Sequence, residues 1–209
     1  AGLAAICRLP ALDPALTKPL LDAGATGIMV PHVTSAAMAR QAVAVASYPP
    51  AGTRGVGLAR AQAYGYGSGL QDYRRRAHSL VVIAMIESRP GVEQVEAIAA
   101  TPGLDGLLIG PYDLSASIGR IGQLDHPEVR AAERRVREAV RRAGIACGIH
   151  LGHPSREKAR QALRNGYTFL AMGVDMILLA EAAAAAASFA NPAPRKASPW
   201  SGMNRTATR

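Results

Sequence analysis

Two carboxylates in this 209-residue chain stand where a metal site could form. Glu87 follows the apolar run 80–86, and Asp113 comes soon after the apolar run 106–109. If these consecutive runs are neighbouring strands, about 4.8 Å apart, both side chains can reach one cation. Mg²⁺ commonly takes one or two protein carboxylates and fills its other positions with water and substrate oxygens. The same pattern also suits carboxylates that cap a helix or pair with an arginine, so both interpretations stay open.

A short turn contains the second carboxylate. Gly110, Pro111, Tyr112 and Asp113 directly follow the strand-like run 106–109. Such a turn can aim successive main-chain N–H groups at one point, which suits a carboxylate or a phosphate group. The turn by itself does not identify a ligand.

Arg8 is the third candidate, because it lies near the end of the first apolar run, 4–9. A side chain at the carboxyl end of a barrel strand points into the mouth of the barrel. There a permanently charged guanidinium can stabilise an enolate oxygen or bind a carboxylate. The alternative is a structural ion pair with Asp13 or Asp22.

The lysines and histidines limit the catalytic mechanisms and metal sites that the sequence can support. The lysines are Lys18, Lys158 and Lys196, and none lies in a predicted strand, where a Schiff-base aldolase would need one. The five histidines show no HxxxH or HExxH spacing typical of metal ligands. His32 and His150 follow strand-like runs and are candidates for acid–base roles. The other histidines are predicted to lie at the surface: His78, His126 and His153.

The elements that would position these residues alternate short apolar runs with amphipathic segments, which predicts an α/β fold of parallel β/α units. The apolar runs are unbroken, as expected for strands covered on both faces. The predicted strands are residues 4–9, 27–31, 80–86, 106–109, 146–150 and 169–173. Helices are predicted over residues 14–24, 35–47, 92–101, 127–143 and 155–165 and from Asp175 onwards. Residues 50–69 and 110–122 are predicted to be Gly-rich loops at the mouth.

Six β/α units predict most of a (β/α)₈ TIM barrel, which needs eight units and typically about 250 residues. Residues 1–190 are therefore expected to form a barrel domain that lacks two units at one end. Residues 191–209, rich in Pro, Ser and Arg, are expected to form a disordered basic tail.

Composition and charge argue against several classes of protein. The formal net charge of +9 is spread over the tail and over helices that alternate basic with acidic residues, so no nucleic-acid partner is predicted. No apolar run reaches the roughly 18 residues of a membrane span. Cys7 and Cys147 form no CxxC pair, and nothing at the start resembles a signal peptide, which favours a reduced, cytoplasmic protein. The sequence does not begin with Met.

Several motifs, in order and at consistent spacing from residue 1 to about residue 190, resemble the HpcH/HpaI aldolase group of the citrate lyase and pyruvate-dependent aldolase superfamily. The motifs are Cys7-Arg8-Leu9-Pro10, Leu20-Leu21-Asp22-Ala23-Gly24-Ala25, Val30-Pro31, Tyr48-Pro49-Pro50-Ala51-Gly52-Thr53-Arg54-Gly55, Ile86-Glu87 and Ile109-Gly110-Pro111-Tyr112-Asp113-Leu114-Ser115.

The resemblance implies a class II aldolase that cleaves 4-hydroxy-2-oxo acids to pyruvate and an aldehyde. It implies that Glu87 and Asp113 bind a divalent metal, Mg²⁺ first, with Mn²⁺ or Co²⁺ as alternatives. Arg8 would stabilise the pyruvate enolate, and the main chain around Tyr112 and Asp113 would hold the pyruvate carboxylate. Asp22 would raise the basicity of a catalytic histidine. The family also implies a homo-oligomer, assembled as a hexamer.

Two departures from the family pattern stand out. Met85 occupies a position where the family often has a substrate-contacting Gln, whose amide donors a thioether cannot replace. The catalytic histidine of the family matches none of the five histidines, so the first two barrel units and that histidine are expected upstream of residue 1. Two alternatives stay open: a CoA-thioester lyase of the citrate or malyl-CoA type, and a non-catalytic barrel fragment or partner subunit.

Overall fold

The chain alternates strands and helices in a computed structural model that describes residues 2–66 and 80–190. The strands are β1 (Ile6–Arg8), β2 (Gly27–Val30), β3 (Val81–Ile86), β4 (Gly106–Ile109), β5 (Ala146–Leu151) and β6 (Phe169–Met172). The helices are α1 (Pro14–Asp22), α2 (Ala36–Ala46), α3 (Arg89–Glu93), α4 (Val95–Ala99), α5 (Pro111–Ser117), α6 (Pro127–Ala143), α7 (Arg156–Arg164) and α8 (Asp175–Ala190). A 3₁₀ turn covers Arg60–Gly65.

All six predicted strands are present, and they form one parallel sheet in chain order from β1 to β6. Each strand is joined to the next through a helical connection where the connecting residues are described, which is the arrangement of β/α-barrel folds. The α/β prediction is therefore confirmed. The described residues contain six strands, so the eight units of a complete barrel are not shown.

The two faces of the sheet are packed differently. Helices cover one face, where a large buried cluster includes Ile28, Ala84, Ile86, Leu107 and Ile149. The opposite face, here called the inner face, carries a smaller apolar cluster. Its members are Met29, Val81, Ile83, Met85, Leu108, Phe169 and Ala171. Alternation along each strand therefore decides which side chains point to the helices and which to the inner face.

Local capping signals fix most helix boundaries. The Asp13 and Ser35 side chains accept hydrogen bonds from the first turns of α1 and α2. His126 caps α6, and Gly144 ends that helix in the left-handed region at φ 72°. Ser155 caps α7. These positions confirm the predicted starts of α2, α6 and α7, because a cap needs only a few neighbouring residues.

Two helix predictions were wrong. Residues 110–122 were predicted to be a loop, yet Pro111–Ser117 is helical, with Pro111 in the first turn, where a missing N–H costs little. The single helix predicted over residues 92–101 is instead two short helices, α3 and α4. They are separated at Gln94, whose backbone leaves helical geometry at φ −103° and ψ 9°.

The chain divides into two compact units, Ala1–Met172, which holds the sheet, and Gly173–Arg209, which holds α8. Among the described residues, no helix is both long and apolar enough to cross a membrane. The predicted disordered tail, residues 191–209, and the predicted surface residue His78 lie outside the described residues.

Candidate functional site

Glu87 lies at the carboxyl ends of the strands, an edge of the sheet here called the carboxyl edge. It directly follows β3, and its side chain is only 2% exposed. A buried carboxylate is normally paired with a cation or coordinates a metal. Within residues 2–66 and 80–190, the only ion-pair partner of Glu87 is His32, so neither a lysine nor an arginine neutralises it there.

His32 approaches Glu87 from the turn after β2. Its main-chain N–H donates to Glu87 Oε2 at 2.9 Å, and its ring atom Nδ1 lies 3.3 Å from the same oxygen. The backbone of His32 is left-handed, with φ 52°. The next residue, Val33, donates its N–H to the Met85 carbonyl at 3.2 Å, which joins this turn to β3. The imidazole itself is 64% exposed at the carboxyl edge.

Gly110 confines Glu87 from the opposite side. It follows β4, and its N–H donates to the Ile86 carbonyl at 3.3 Å. A Cβ atom at Gly110 would lie 2.7 Å from Glu87 Oε1 and 2.8 Å from its Cγ. The carboxylate therefore occupies the space that any larger residue at position 110 would need.

Asp113 lies in the first turn of α5, three residues after Gly110, and is exposed. Pro111 is buried, while Tyr112 is 57% exposed. Ser115 anchors the turn, because its hydroxyl donates to the Tyr112 carbonyl at 2.7 Å. The structure thus brings Glu87 and the turn that carries Asp113 to the same edge. Within the described residues it assembles no group of three or more His, Cys, Asp or Glu side chains around a metal position.

Arg8 and Met85 belong to the inner face. Arg8 ends β1 in register with Met29, and Met85 is a buried member of the inner-face cluster. Arg8 is exposed and forms no ion pair within the part of the chain that the structure describes. Neither alternative ion pair, with Asp13 or with Asp22, is observed: Asp13 accepts from the Ala15 N–H at 2.8 Å, and Asp22 pairs with Lys18 and Arg54.

Asp22 is not brought to the carboxyl edge. It is the last residue of α1, and the loop that follows returns to the start of β1, where the Thr26 N–H donates to the Ala5 carbonyl at 2.8 Å. Asp22 accepts from Arg54 Nη2 at 2.8 Å and from Lys18 Nζ. Burial raises the pKa of Asp22, but hydrogen bonds and charges from Lys18 and Arg54 outweigh it, and the pKa is lowered overall. Its catalytic role stays a prediction from family resemblance.

The sequence did not predict two contacts that shape these positions. It placed His32 at a strand end but did not predict its contact with Glu87. It also did not predict that Arg54 would be buried, with its guanidinium 4.6 Å from the centre of the Tyr48 ring. The adjacency of the carboxyl ends of β2 and β3 was the available signal for the first contact.

Comparison with known sequences relates the chain to one family. The sequence model of the HpcH/HpaI aldolase/citrate lyase family matches residues 1–182. A hydroxypyruvate/pyruvate aldolase of Chromohalobacter salexigens is 46% identical over 172 residues, which cover 82% of this chain and 66% of that relative. A 4-hydroxy-2-oxo-heptane-1,7-dioate aldolase of Shigella flexneri is 42% identical over 181 residues, or 86% of this chain and 67% of that one. The chain thus spans about two thirds of the length of these relatives.

Solved structures give the same relationship. An HpcH/HpaI aldolase/citrate lyase family protein from Burkholderia cenocepacia has a TM-score of 0.81 at 39% identity, covering 88% of this chain and 72% of the other. An HpcH/HpaI aldolase from Desulfitobacterium hafniense has a TM-score of 0.84 at 31% identity, covering 92% and 74%.

Proposed function

Because this chain belongs to the HpcH/HpaI aldolase/citrate lyase family, we propose that it is a metal-dependent aldolase that cleaves a 4-hydroxy-2-oxo acid to pyruvate and an aldehyde. Relatives named for hydroxypyruvate/pyruvate and for 4-hydroxy-2-oxo-heptane-1,7-dioate support this reaction class. The observation that carries the proposal is Glu87, a buried carboxylate at the carboxyl edge whose ion-pair partner in the described chain is a histidine rather than a lysine or arginine.

The donor chemistry at this edge fits a divalent cation. Glu87 and Asp113 supply carboxylate oxygens from two consecutive β/α units, and hard cations such as Mg²⁺ prefer oxygen ligands. Mn²⁺ and Co²⁺ accept the same ligands. Asp113 is exposed, which leaves its side of the site open to water and to substrate oxygens. We assign Glu87 and Asp113 as the metal-binding residues.

Other residues of this edge would bind and orient the substrate. The main chain of Gly110, Pro111 and Tyr112 would hold the carboxylate of the 2-oxo acid, while Met85 would contact its carbon chain from the inner face. A general base takes the C4 hydroxyl proton, the C3–C4 bond breaks to release the aldehyde, and its electron pair forms the pyruvate enolate, which then gains a proton at C3 to give pyruvate. Arg8, fixed in charge, would stabilise the enolate oxygen. A divalent cation at this site supplies a Lewis acid for the C2 carbonyl, an effect of several kcal/mol.

Pyruvate release from a 4-hydroxy-2-oxo acid tests the proposal. We expect turnover to stop after EDTA treatment and to return when Mg²⁺, Mn²⁺ or Co²⁺ is added. Glu87→Gln preserves the shape of the side chain but removes its charge, so this variant should stay inactive at every metal concentration. Turnover that persists at full rate in EDTA would rule out the metal-dependent reaction.

A further inference from the structure

We propose that His32 is a positioning residue for the metal-binding carboxylate, holding Glu87 Oε2 so that Oε1 is the oxygen presented to the cation. This inference rests on the proposed metal site. It adds a residue from a third β/α unit, because His32 follows β2 whereas Glu87 and Asp113 follow β3 and β4.

Both polar groups of His32 that face Glu87 converge on one oxygen. The main-chain N–H is 2.9 Å from Oε2, and ring Nδ1 is 3.3 Å from it. Oε1 instead faces Gly110, at the start of the turn that carries Asp113. The two oxygens of Glu87 are therefore in different surroundings, one occupied by His32 and the other directed towards the second carboxylate-bearing turn.

The backbone of His32 supports a positioning role. A non-glycine residue at φ 52° is uncommon, although histidine, with asparagine and aspartate, is enriched in that region. Such conformations persist when surrounding contacts hold them, and here the adjacent Val33 N–H is bonded to β3 at 3.2 Å. In this left-handed turn the His32 N–H bonds to Glu87 and the next N–H, of Val33, bonds to Met85, so the turn is held to β3 and to the carboxylate that follows it.

The imidazole adds a second contact that the backbone alone would not supply. Ring Nδ1 lies 3.3 Å from Oε2, within ion-pair distance, while the main-chain N–H makes the hydrogen bond, and the imidazole is otherwise exposed. Partners that orient a metal-binding carboxylate typically change metal affinity ten- to a hundredfold when removed. His32 should therefore affect cation binding itself and not only turnover.

Titration with Mn²⁺, followed by the electron paramagnetic resonance signal of the free ion, tests this without any substrate. The variants are His32→Ala, His32→Gly and His32→Asn. Alanine removes the ring, glycine removes the ring and also relieves the left-handed backbone, and asparagine keeps a short side-chain donor. His153→Ala is the matched control, because it removes another exposed imidazole near the carboxyl edge. Circular dichroism verifies that each variant is folded.

We expect the Mn²⁺ dissociation constant to rise ten- to a hundredfold in both His32→Ala and His32→Gly, to recover in part in His32→Asn, and to be unchanged in His153→Ala. Wild-type affinity in His32→Ala would overturn the positioning role. Restored affinity in His32→Gly alone would also overturn it, because backbone strain would then explain the loss. A ¹⁴N coupling typical of direct coordination in the wild-type Mn²⁺ spectrum would show that His32 is a ligand instead. Absence of Mn²⁺ binding to the wild-type protein would refute the metal site itself.

Discussion

Replacing Gly110 with alanine should disturb Glu87 through a single methyl group. The backbone at Gly110 has φ −93° and ψ 91°, which alanine can adopt, so no backbone strain accompanies the change. Alanine also restricts the unfolded chain, which on its own stabilises a protein by about 0.4–1 kcal/mol. The added Cβ, however, would lie 2.7 Å from Glu87 Oε1, 2.8 Å from Cγ and 3.2 Å from Cδ.

The contact distances set the size of the effect. Ordinary van der Waals contact begins at 3.4 Å, so the carboxylate must retreat by the difference from 2.7 Å, about 0.7 Å. Functional groups in a binding site must be held within about 0.5 Å of their working geometry. We therefore expect the Mn²⁺ dissociation constant to rise ten- to a hundredfold, or about 1.4–2.8 kcal/mol. Overpacking costs about 1–3 kcal/mol, so the free energy of unfolding should also fall slightly after the entropic gain is included.

Calorimetric titration with Mn²⁺ measures the first quantity and urea denaturation the second. Gly152→Ala is the matched control, because Gly152 also follows a strand, has no positive φ, and a Cβ there meets no atom within 4 Å. The control should bind Mn²⁺ like the wild type. If Gly110→Ala binds Mn²⁺ with wild-type affinity and unfolds at the wild-type urea concentration, Glu87 is not confined as described, and the steric reasoning fails.

Three other perturbations address separate parts of the chain. The pKa of Asp22 is lowered in the folded protein, so its stabilising contribution is present above its ordinary pKa of 3.8 and is lost as the pH falls through the folded value. In urea denaturation, the free energy of unfolding should fall less between pH 5 and pH 3 in Asp22→Asn than in the wild type. An equal fall in both proteins would contradict the lowered pKa of Asp22. Burial raises the pKa of the Cys147 thiol to about 11, so an aromatic disulfide reagent at pH 8 should label it only on unfolding, and later than Cys7. Arg8→Gln should lower kcat about a hundredfold and leave the Mn²⁺ dissociation constant unchanged. If Mn²⁺ binding were lost as well, Arg8 would support the metal site rather than stabilise the enolate.

The sequence predicted the features that depend on neighbouring residues. The six strands were found because buried parallel strands are unbroken apolar runs, and Ser35 and Gly144 marked helix ends through local capping. Helix α5 was missed because glycines surround it in the sequence and its seven residues are too few to show a helical period. Pro111 in the first turn and the buried Leu114 were the signals for a helix there.

The candidate site was predictable only in part. The positions of Glu87 and Asp113 at strand ends follow from the order of the strands along the chain. The contact between Glu87 and His32 joins residues 55 positions apart and depends on strand register, on the backbone angle at His32 and on side-chain rotamers, none of which the sequence displays. The packing of Gly110 against Glu87 likewise depends on the close approach of two neighbouring strand ends.

The contacts around Glu87 also bear on the order in which the chain folds. His32, Glu87 and Gly110 follow strands that are nearest neighbours in both sequence and sheet, so none of their contacts requires β1 or β6. The sequence separations nevertheless differ: the His32–Glu87 contact joins residues 55 positions apart, whereas paired residues of β1 and β2, and of β5 and β6, lie only 21 positions apart. Closing the longer connection costs more loop-closure entropy, so the pairing of β2 with β3 should form after the local pairings at the two ends of the sheet, which pulsed hydrogen exchange during refolding would detect. The site would then be completed late in folding, when the longest connection between two strands has closed.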